Sequence, residues 1–475
     1  MSDFYEKNDR NIYNTSSEVE RTYKETKYQD EIAGILKTSQ NDARRKAILI
    51  AKRKKARRKR IIVRLSIVLI ALILALVLII SGIVSAVRGV LGLFASSETG
   101  ESIEELIARA DVAAASYDYD KAVDIIKSFG KNYEKKKDLK QAIIKYQSGK
   151  SKLVKYADTE KITHLSFRTL IFDTKKAFDG DENEYNYNRT RTTVSEFSNI
   201  LDELYRQGFI LIDFDDLTQK KKGKLVKKEL YLPQGKTPVI ISQEDVSYKS
   251  SLSGDGFASK LIIDKNGMPL CEYEDEDGNV TTGEYDLVPV LEKFVREHPD
   301  FSYKGARGII AVTGDEGVLG YNTNPESEAF SDNDVENARK TAERLKELGW
   351  EFASNSFSYT SYNGISLDAL KSDADRWEKE VEPIVGKTDI LVYANGNDIV
   401  STGEYSEENE KYTYLKSLGF DYFCYGDTAQ YSITYGEDYF RQGRRILSGF
   451  RLTNQADGLI DLFDAGRIVD IARPQ

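Results

Sequence analysis

The sequence predicts an α/β protein, a distorted β/α barrel preceded by one transmembrane helix and a short helical stalk. From residue 161 onward, short apolar runs alternate with amphipathic segments of helical period, the pattern of repeated strand and helix units around a parallel sheet. An uncharged apolar run lies at 65–87, and helical spacing fills 101–157. A chain of 475 residues is long enough for a large barrel together with these smaller parts.

The apolar run LSIVLIALILALVLIISGIVSAV has no charge over 23 positions, enough for a helix to cross the ~30 Å bilayer core. Twelve Lys and Arg residues lie between Arg44 and Arg64, immediately before it. The positive-inside rule therefore places the N-terminus in the cytoplasm and the chain after about residue 90 outside. A cleaved signal peptide is the alternative, but its apolar region would be shorter and nearer the N-terminus. We expect a single-pass plasma-membrane protein with an extracytoplasmic C-terminal domain.

These features predict four segments along the chain. Residues 1–60 are predicted to be a disordered cytoplasmic tail that ends in the basic run, and 61–90 the transmembrane helix. Residues 97–160 would form the helical stalk, and 161–475 the barrel domain with a hairpin insertion near 251–288. For the stalk we expect two or three short antiparallel helices acting as a spacer, with a peptide-binding repeat pair as the alternative.

The net charge limits the binding partners of the chain, and the number of cysteines limits its disulfide bonds. Taking the twelve juxtamembrane cations from the net charge of −9 leaves −21, so the exported part is acidic and nucleic acid is not expected as a partner. The basic run is expected to contact membrane lipid headgroups. Only two cysteines occur, Cys271 and Cys424, which excludes a disulfide framework but leaves a single bridge open.

Within the barrel region, Thr193 to Glu196 has the sequence of a capping box that opens a helix. The strand TPVIIS follows GFILIDF and ends at Glu244 and Asp245. Asn-Gly and Asp-Gly turn signals at 266–267 and 277–278 predict hairpins in the insertion. Further strands are predicted at RGIIAVTG, WEFAS, DILVYANG and FDYFCYG. Since functional groups of such barrels lie at the C-terminal strand ends, Glu244 and Asp245 are the candidate catalytic residues.

Several stretches after residue 162 carry a family resemblance: LIFDTKKAFDGD, LYLPQGKTPVIISQEDVSY, GDGFASKLIIDKNGMP, GEYDLVPVLEKFVREHPDFSYKGARGIIAVTGDEGVLGY, RLKELGWEFAS and DYFRQGRRILSGFRL. In these, the chain resembles the membrane-anchored polysaccharide deacetylases of Gram-positive bacteria, whose nodulation-factor-deacetylase-like homology domain is a carbohydrate esterase. Members of that family remove acetyl groups from N-acetylated sugars of cell-wall glycans. The resemblance implies a barrel of the polysaccharide deacetylase type.

The resemblance also implies roles for particular residues. In the family an Asp-Asp pair closes the first motif; its first acid is the general base, and its second binds a divalent metal, usually zinc, with two histidines four residues apart. Here Glu244 stands at the base position and Asp245 at the metal-ligand position. The two histidine positions hold Asn355 and Tyr359.

Neither replacement is a strong zinc ligand, because an amide is neutral and a phenol with a pKa of ~10 stays mostly protonated. An early histidine of the family is Arg168 here, and the strand end that often reads YPFG is Tyr-Ala-Asn-Gly at 393–396. The chain has only two histidines, His164 and His298, and neither falls at a metal or acid position of the family. We expect His164 to be packed on the first strand and His298 to be a surface or capping residue.

The hypothesis that follows is a deacetylase-like protein with impaired catalysis and no cofactor. It would bind N-acetylated cell-wall glycan or peptidoglycan, or scaffold a protein partner of the cell envelope.

Two alternatives remain open. One is an active peptidoglycan N-deacetylase with an altered metal site, in which Asp245 binds a divalent ion such as Mg²⁺ or Ca²⁺ with help from Tyr359, Asn355 or Asp398. The other is a metal-free glycosidase that uses a pair of carboxylates. It would combine Glu244 with a second acid, for which the choices are Asp315, Glu316 and Asp398.

Overall fold

The computed structural model describes residues 101–275, 277–401, 403–427 and 429–474. The predicted cytoplasmic tail and transmembrane helix lie outside these residues. Among the helices within these ranges, none combines the length and the apolar character that crossing a bilayer requires. The membrane anchor therefore stays a prediction.

Strands and helices alternate along most of the described chain. The strands are β1 (Val154–Lys155), β2 (Thr163–Phe167), β3 (Phe209–Leu211), β4 (Thr218–Lys221), β5 (Lys224–Lys227), β6 (Tyr231–Leu232), β7 (Thr237–Gln243), β8 (Lys260–Ile263), β9 (Pro269–Glu274), β10 (Val280–Gly283), β11 (Ile309–Val312), β12 (Glu351–Ser354), β13 (Ile390–Val392), β14 (Tyr422–Asp427), β15 (Ile433–Tyr435) and β16 (Phe440–Ile446). The α-helices are α1 (Ile103–Ala115), α2 (Tyr119–Lys127), α3 (Lys137–Lys150), α4 (Thr174–Ala177), α5 (Glu184–Thr190), α6 (Val194–Arg206), α7 (Leu287–Glu297), α8 (Asp332–Leu348), α9 (Leu367–Glu380), α10 (Glu382–Val385), α11 (Glu410–Leu418) and α12 (Gly449–Asn454).

Seven parallel strands close into a barrel within the described residues, in the order β7, β11, β12, β13, β14, β16, β2 and back to β7. The barrel is distorted at β7, because one edge of this strand pairs with β3 near its start and with β11 near its end. The predicted β/α barrel is thus present, and its C-terminal strand ends form one rim, which we call the rim.

The apolar strand residues alternate between two cores, as the pleat of a barrel strand requires. On β7, Val239 and Ile241 pack outward under the helices, whereas Ile240 faces the barrel interior. Phe214, in the short helical turn after β3, fills that interior and stacks on Tyr422 at 5.0 Å between ring centroids. The barrel interior is therefore a packed core and not a channel.

The surrounding helices follow the predicted patterns. Helix α6 begins with the expected capping box, in which Thr193 and Glu196 exchange side-chain and backbone hydrogen bonds. Helical spacing in the sequence predicts that Phe197, Ile200, Leu201 and Leu204 face inward on this helix, and all four are buried. Helical spacing in the sequence also predicts a buried face of Ala338, Ala342 and Leu345 on α8, and one of Leu367, Leu370, Ala374, Trp377 and Val381 along α9. All of these residues are buried except Leu367, which is half-buried.

The insertion forms a separate antiparallel sheet of β8, β9 and β10. Gly267 and Gly278 occupy the predicted turns with φ of 77° and 75°, a backbone conformation that glycine adopts without steric cost. Cys271 lies in this sheet and Cys424 in the barrel interior, and both are buried free thiols.

Helices α1, α2 and α3 pack on one another around a small core of their own. The spacing of apolar residues in the sequence predicts Leu139, Ile144 and Tyr146 on one buried face of α3. Leu139 and Tyr146 are buried, but Ile144 is 62% exposed. The reason is that the buried face is centred on Ala142, and two residues further on the helix has turned by ~200°. These helices contact the N-terminal end of the barrel, where the Lys304 N–H donates to the Ser116 carbonyl over 2.6 Å.

Candidate functional site

The rim brings together the polar groups that follow three barrel strands. Glu244 and Asp245 come directly after β7, Asn355 after β12 and Arg168 after β2. The backbone N–H of Asp245 donates to Asn355 Oδ1 over 2.8 Å, and Arg168 Nε donates to Glu244 Oε1 over 3.1 Å. The predicted site residues therefore do converge at one place.

Glu244 is fully buried between two arginines. Arg168 bonds Oε1, and Arg444 Nη1 donates to Oε2 over 3.1 Å. Burial alone would raise the pKa of this carboxyl, but the guanidinium groups of Arg444 and Arg168 outweigh it and hold the pKa below its ordinary value. The carboxylate is therefore ionised, has both oxygens engaged and is a weak base.

Asp245 has a strained backbone and a cationic neighbour. Its φ of 60° lies in the left-handed region, which Asp tolerates better than most residues. The Lys249 ammonium lies 3.3 Å from Asp245 Oδ1. Burial raises the pKa of Asp245 above its ordinary value, while the charges of Lys249 and Arg191 oppose this rise. The ammonium thus lies beside one of the two carboxylate oxygens, where its charge would repel a metal ion.

Asn355 acts as a structural bridge. Its Oδ1 accepts from Asp245 and its Nδ2 donates to the Val392 carbonyl over 2.8 Å, so the fully buried amide joins the ends of β7, β12 and β13. These two bonds hold the oxygen toward a backbone N–H, which leaves the amide poorly placed to act as a ligand.

Two cationic side chains contact Tyr359. Its hydroxyl accepts from Arg168 Nη2 over 2.8 Å, and its ring centroid lies 5.6 Å from the Arg168 guanidinium and 5.1 Å from Lys249 Nζ. Burial, followed by the charge of Glu244, raises the pKa of the phenol. Tyr359 is therefore a protonated hydroxyl and not a tyrosinate.

Sequence reasoning missed three residues of this site, Lys249, Arg191 and Arg444. Arg444 lies on β16, whose sequence FRQGRRI looks like a solvated segment although it is a barrel strand. It is fully buried, and it also donates to Ser166 Oγ over 2.6 Å and to the Tyr393 carbonyl over 3.2 Å. Arginines that interrupt an apolar strand pattern indicate buried ion pairs, because such charges need a partner inside the fold.

The rim does not fit a zinc-type ion. Such a site needs about three strong protein ligands and an open position for water. Here Asp245 faces an ammonium, Asn355 is held by two hydrogen bonds, and Tyr359 is a protonated phenol bonded to Arg168. Within the described ranges, no group of three or more His, Cys, Asp or Glu side chains is arranged to hold a metal ion.

The chain is similar to a solved deacetylase structure. That structure is the Streptococcus pyogenes deacetylase PplD in complex with acetate, with 11% sequence identity and a TM-score of 0.33. The similarity covers 64% of this chain and 98% of the PplD chain. No protein-family model and no curated protein matches the chain.

The other acids named as candidates have partners of their own. Asp398 accepts from Arg441 Nε over 2.6 Å and from the Tyr405 hydroxyl over 2.8 Å. Glu316 accepts from the backbone N–H and the hydroxyl of Ser250, at 2.8 and 2.6 Å. Glu316 lines a cavity of about 410 Å³ beside Lys249 together with Asp315.

Both histidines are packed. His164 is fully buried, with Nε2 2.8 Å from Ser242 Oγ, and burial lowers its pKa well below the ordinary value. His298 follows α7 and packs against the rings of Tyr205 and Phe294. His164 is therefore a packed residue of the first barrel strand, β2, and His298 is the C-cap residue of α7, both as expected.

Proposed function

We propose that this protein is a membrane-anchored, extracytoplasmic relative of polysaccharide deacetylases that binds N-acetylated cell-wall glycan at the rim and does not hydrolyse it. The closed parallel barrel, the convergence of Glu244, Asp245, Asn355 and Tyr359, and the sequence resemblance support this proposal. The proposed anchor would place the basic run against the headgroups of membrane lipids. A protein of the cell envelope is a further proposed partner, one that binds the same glycan.

The single observation that carries the proposal is the pairing of the two acids with cations. Glu244 lies between Arg168 and Arg444, and Asp245 faces Lys249. Hydrolysis by a bound metal would need Asp245 free to bind the ion and Glu244 free to accept a proton from water. The positive charge of Lys249 disfavours a metal ion at Asp245, and the charges of Arg168 and Arg444 make Glu244 a weaker base.

The two alternatives gain no support from the site. An altered site for a hard divalent ion would put that ion next to Lys249 and Arg168, which repel it. A carboxylate-pair glycosidase needs one carboxylic acid that keeps its proton near neutral pH. The pKa of Glu244 is lowered, and Asp398 is bonded to Arg441.

The test uses the full-length chain purified in a non-ionic detergent. It is incubated with N-acetylated chito-oligosaccharide, with zinc, magnesium or calcium added and with a chelator, and released acetate is measured. We expect no release above the protein-free blank under any of these conditions. Metal-dependent release of acetate would overturn the proposal.

Binding of the same oligosaccharide is measured by calorimetry. Arg168→Gln removes a partly exposed rim cation and is expected to weaken binding several-fold. The matched control is Arg339→Gln on α8, a half-exposed arginine paired with Glu336, which should bind as the unmodified chain does.

A further inference from the structure

The rim carries more positive than negative charge. Three cations, Arg168, Arg444 and Lys249, are paired with the two carboxylates Glu244 and Asp245. A fourth, Arg191, acts on Asp245 through its charge. The Tyr359 hydroxyl is protonated and adds no negative charge. Two positive charges in a largely buried place therefore lack a carboxylate of their own, and uncompensated buried charge is costly.

The side chain of Arg191 indicates where a hydrogen-bond acceptor from a ligand would bind. Its Nε and Nη1 are buried, and no described group accepts a hydrogen bond from either. The residue is fixed in position, because its carbonyl accepts from Arg473 Nη2 over 2.7 Å and from the Gly449 N–H over 3.0 Å. Its guanidinium lies 5.6 Å from the Phe257 ring centroid.

Nearby carboxylates are engaged elsewhere. Asp255 accepts from the Tyr187 hydroxyl over 2.7 Å and from Asn183 Nδ2 over 3.2 Å. Glu196 bonds Arg473. Two unsatisfied guanidinium donors on a residue whose backbone is held in place thus match an acceptor that comes from outside the chain.

The donors also indicate the chemistry of that acceptor. A guanidinium presents paired N–H groups that fit the two oxygens of a carboxylate or a phosphate. The side chains of Arg168 and Lys249, 23% and 19% exposed, are partly open to solvent on the same rim. A neutral acetamido sugar would bring no negative charge to balance the two excess positive charges of the rim.

We propose that the rim selects a glycan bearing an oxyanion, a carboxylate or a phosphate ester, which Arg191, Arg168 and Lys249 bind together. This inference rests on the proposed glycan-binding function and adds the class of sugar. The oxyanion lies against Arg191, and the remainder of the sugar extends toward the exposed side of the rim.

The experiment compares three probes by calorimetry on the full-length chain in non-ionic detergent: glucuronic acid, glucose 1-phosphate and N-acetylglucosamine. We expect at least one acidic probe to bind about tenfold or more tightly than the neutral sugar, since hydrogen bonds to charged groups are the stronger ones. The two acidic arms show whether carboxylate or phosphate is preferred. Added salt should weaken acid binding and leave neutral-sugar binding unchanged.

Two variants link the binding to these residues. Arg191→Gln and Lys249→Gln should each weaken the acidic probe about tenfold, whereas Arg339→Gln should not change it. Thermal unfolding of each variant checks the fold, and Lys249, being partly exposed, provides an answer if Arg191→Gln is unstable.

The outcomes separate this inference from the proposed function. Equal affinity for acidic and neutral sugars, no binding of either acid, or an unchanged Lys249→Gln variant overturns the inference. If neutral chito-oligosaccharide still binds in that case, the proposed function stands. Release of acetate would end the proposed function, whatever the charge dependence of binding.

Discussion

Glu244 is an ionised side chain with no exposure to water, held by a guanidinium on each carboxylate oxygen. Such a charge is tolerated in a protein interior only while its partners remain. Arg444 contributes most to this, because it is itself fully buried and connects the acid to Ser166 and to the Tyr393 carbonyl. Glu244 therefore acts as part of the fold.

Replacing Arg444 by methionine should lower the free energy of unfolding by about 3 to 5 kcal/mol, since it leaves a buried carboxylate with half of its compensation. Urea denaturation of the full-length chain in detergent measures this. The control Arg339→Met breaks an exposed pair with Glu336, 2.8 Å apart, and should cost about 1 kcal/mol or less. A similar small loss for Arg444→Met would contradict the structural role of the Glu244 cluster.

At this scale the sequence located the acids but not their partners. Glu244 and Asp245 were predictable because an apolar strand ends at them, a local signal. Arg444 is 200 residues away from Glu244 in sequence, and Arg168 is 76 away. A single sequence carries no signal that pairs such distant charges, so the cationic character of the rim required the three-dimensional structure.

Helix α9 and the short α10 after it show a second electrostatic feature. Glu378 lies one helical turn before Glu382, and like charges at this spacing repel. Burial, followed by the hydrogen bond and charge of Glu382, raises the pKa of Glu378 to about 8. The folded protein therefore keeps a proton that the unfolded chain releases near its ordinary pKa of 4.5.

Because the folded state binds more protons, stability should fall as the pH rises from about 4.5 to about 8. Glu378→Gln removes this dependence, so its melting temperature should exceed that of the unmodified chain at pH 8 and equal it at pH 4. Thermal unfolding at both pH values checks this. Glu343→Gln, at an exposed position of α8, is the control, and an equal shift in it, or none at pH 8 in Glu378→Gln, would contradict the assignment.

Periodicity predicted elements well where one face is apolar and poorly where charges are buried. The buried faces of α6 and α8 followed from 3.6-residue spacing. Strand β16 was not among the predicted strands, because Arg441, Arg444 and Arg445 interrupt its apolar pattern. Their partners, Asp398, Glu244 and Asp461, come from other parts of the barrel domain.

The whole described barrel explains why the rim can change without loss of the fold. Closure depends on strand pairing and on the two apolar cores, both of which lie below the rim. Helices α1 to α3 attach at the opposite end of the barrel. A substitution of the partly exposed Lys249 therefore alters the site while the barrel beneath it persists, unlike a substitution of the buried Arg444.

The most direct measurement is the zinc content of the full-length chain after equilibrium dialysis against zinc and removal of the unbound metal. Cations beside Asp245, and the engaged side chains of Asn355 and Tyr359, predict far less than one zinc per chain, with the same low value for Asp245→Asn. One retained zinc per chain that disappears in Asp245→Asn would contradict the account.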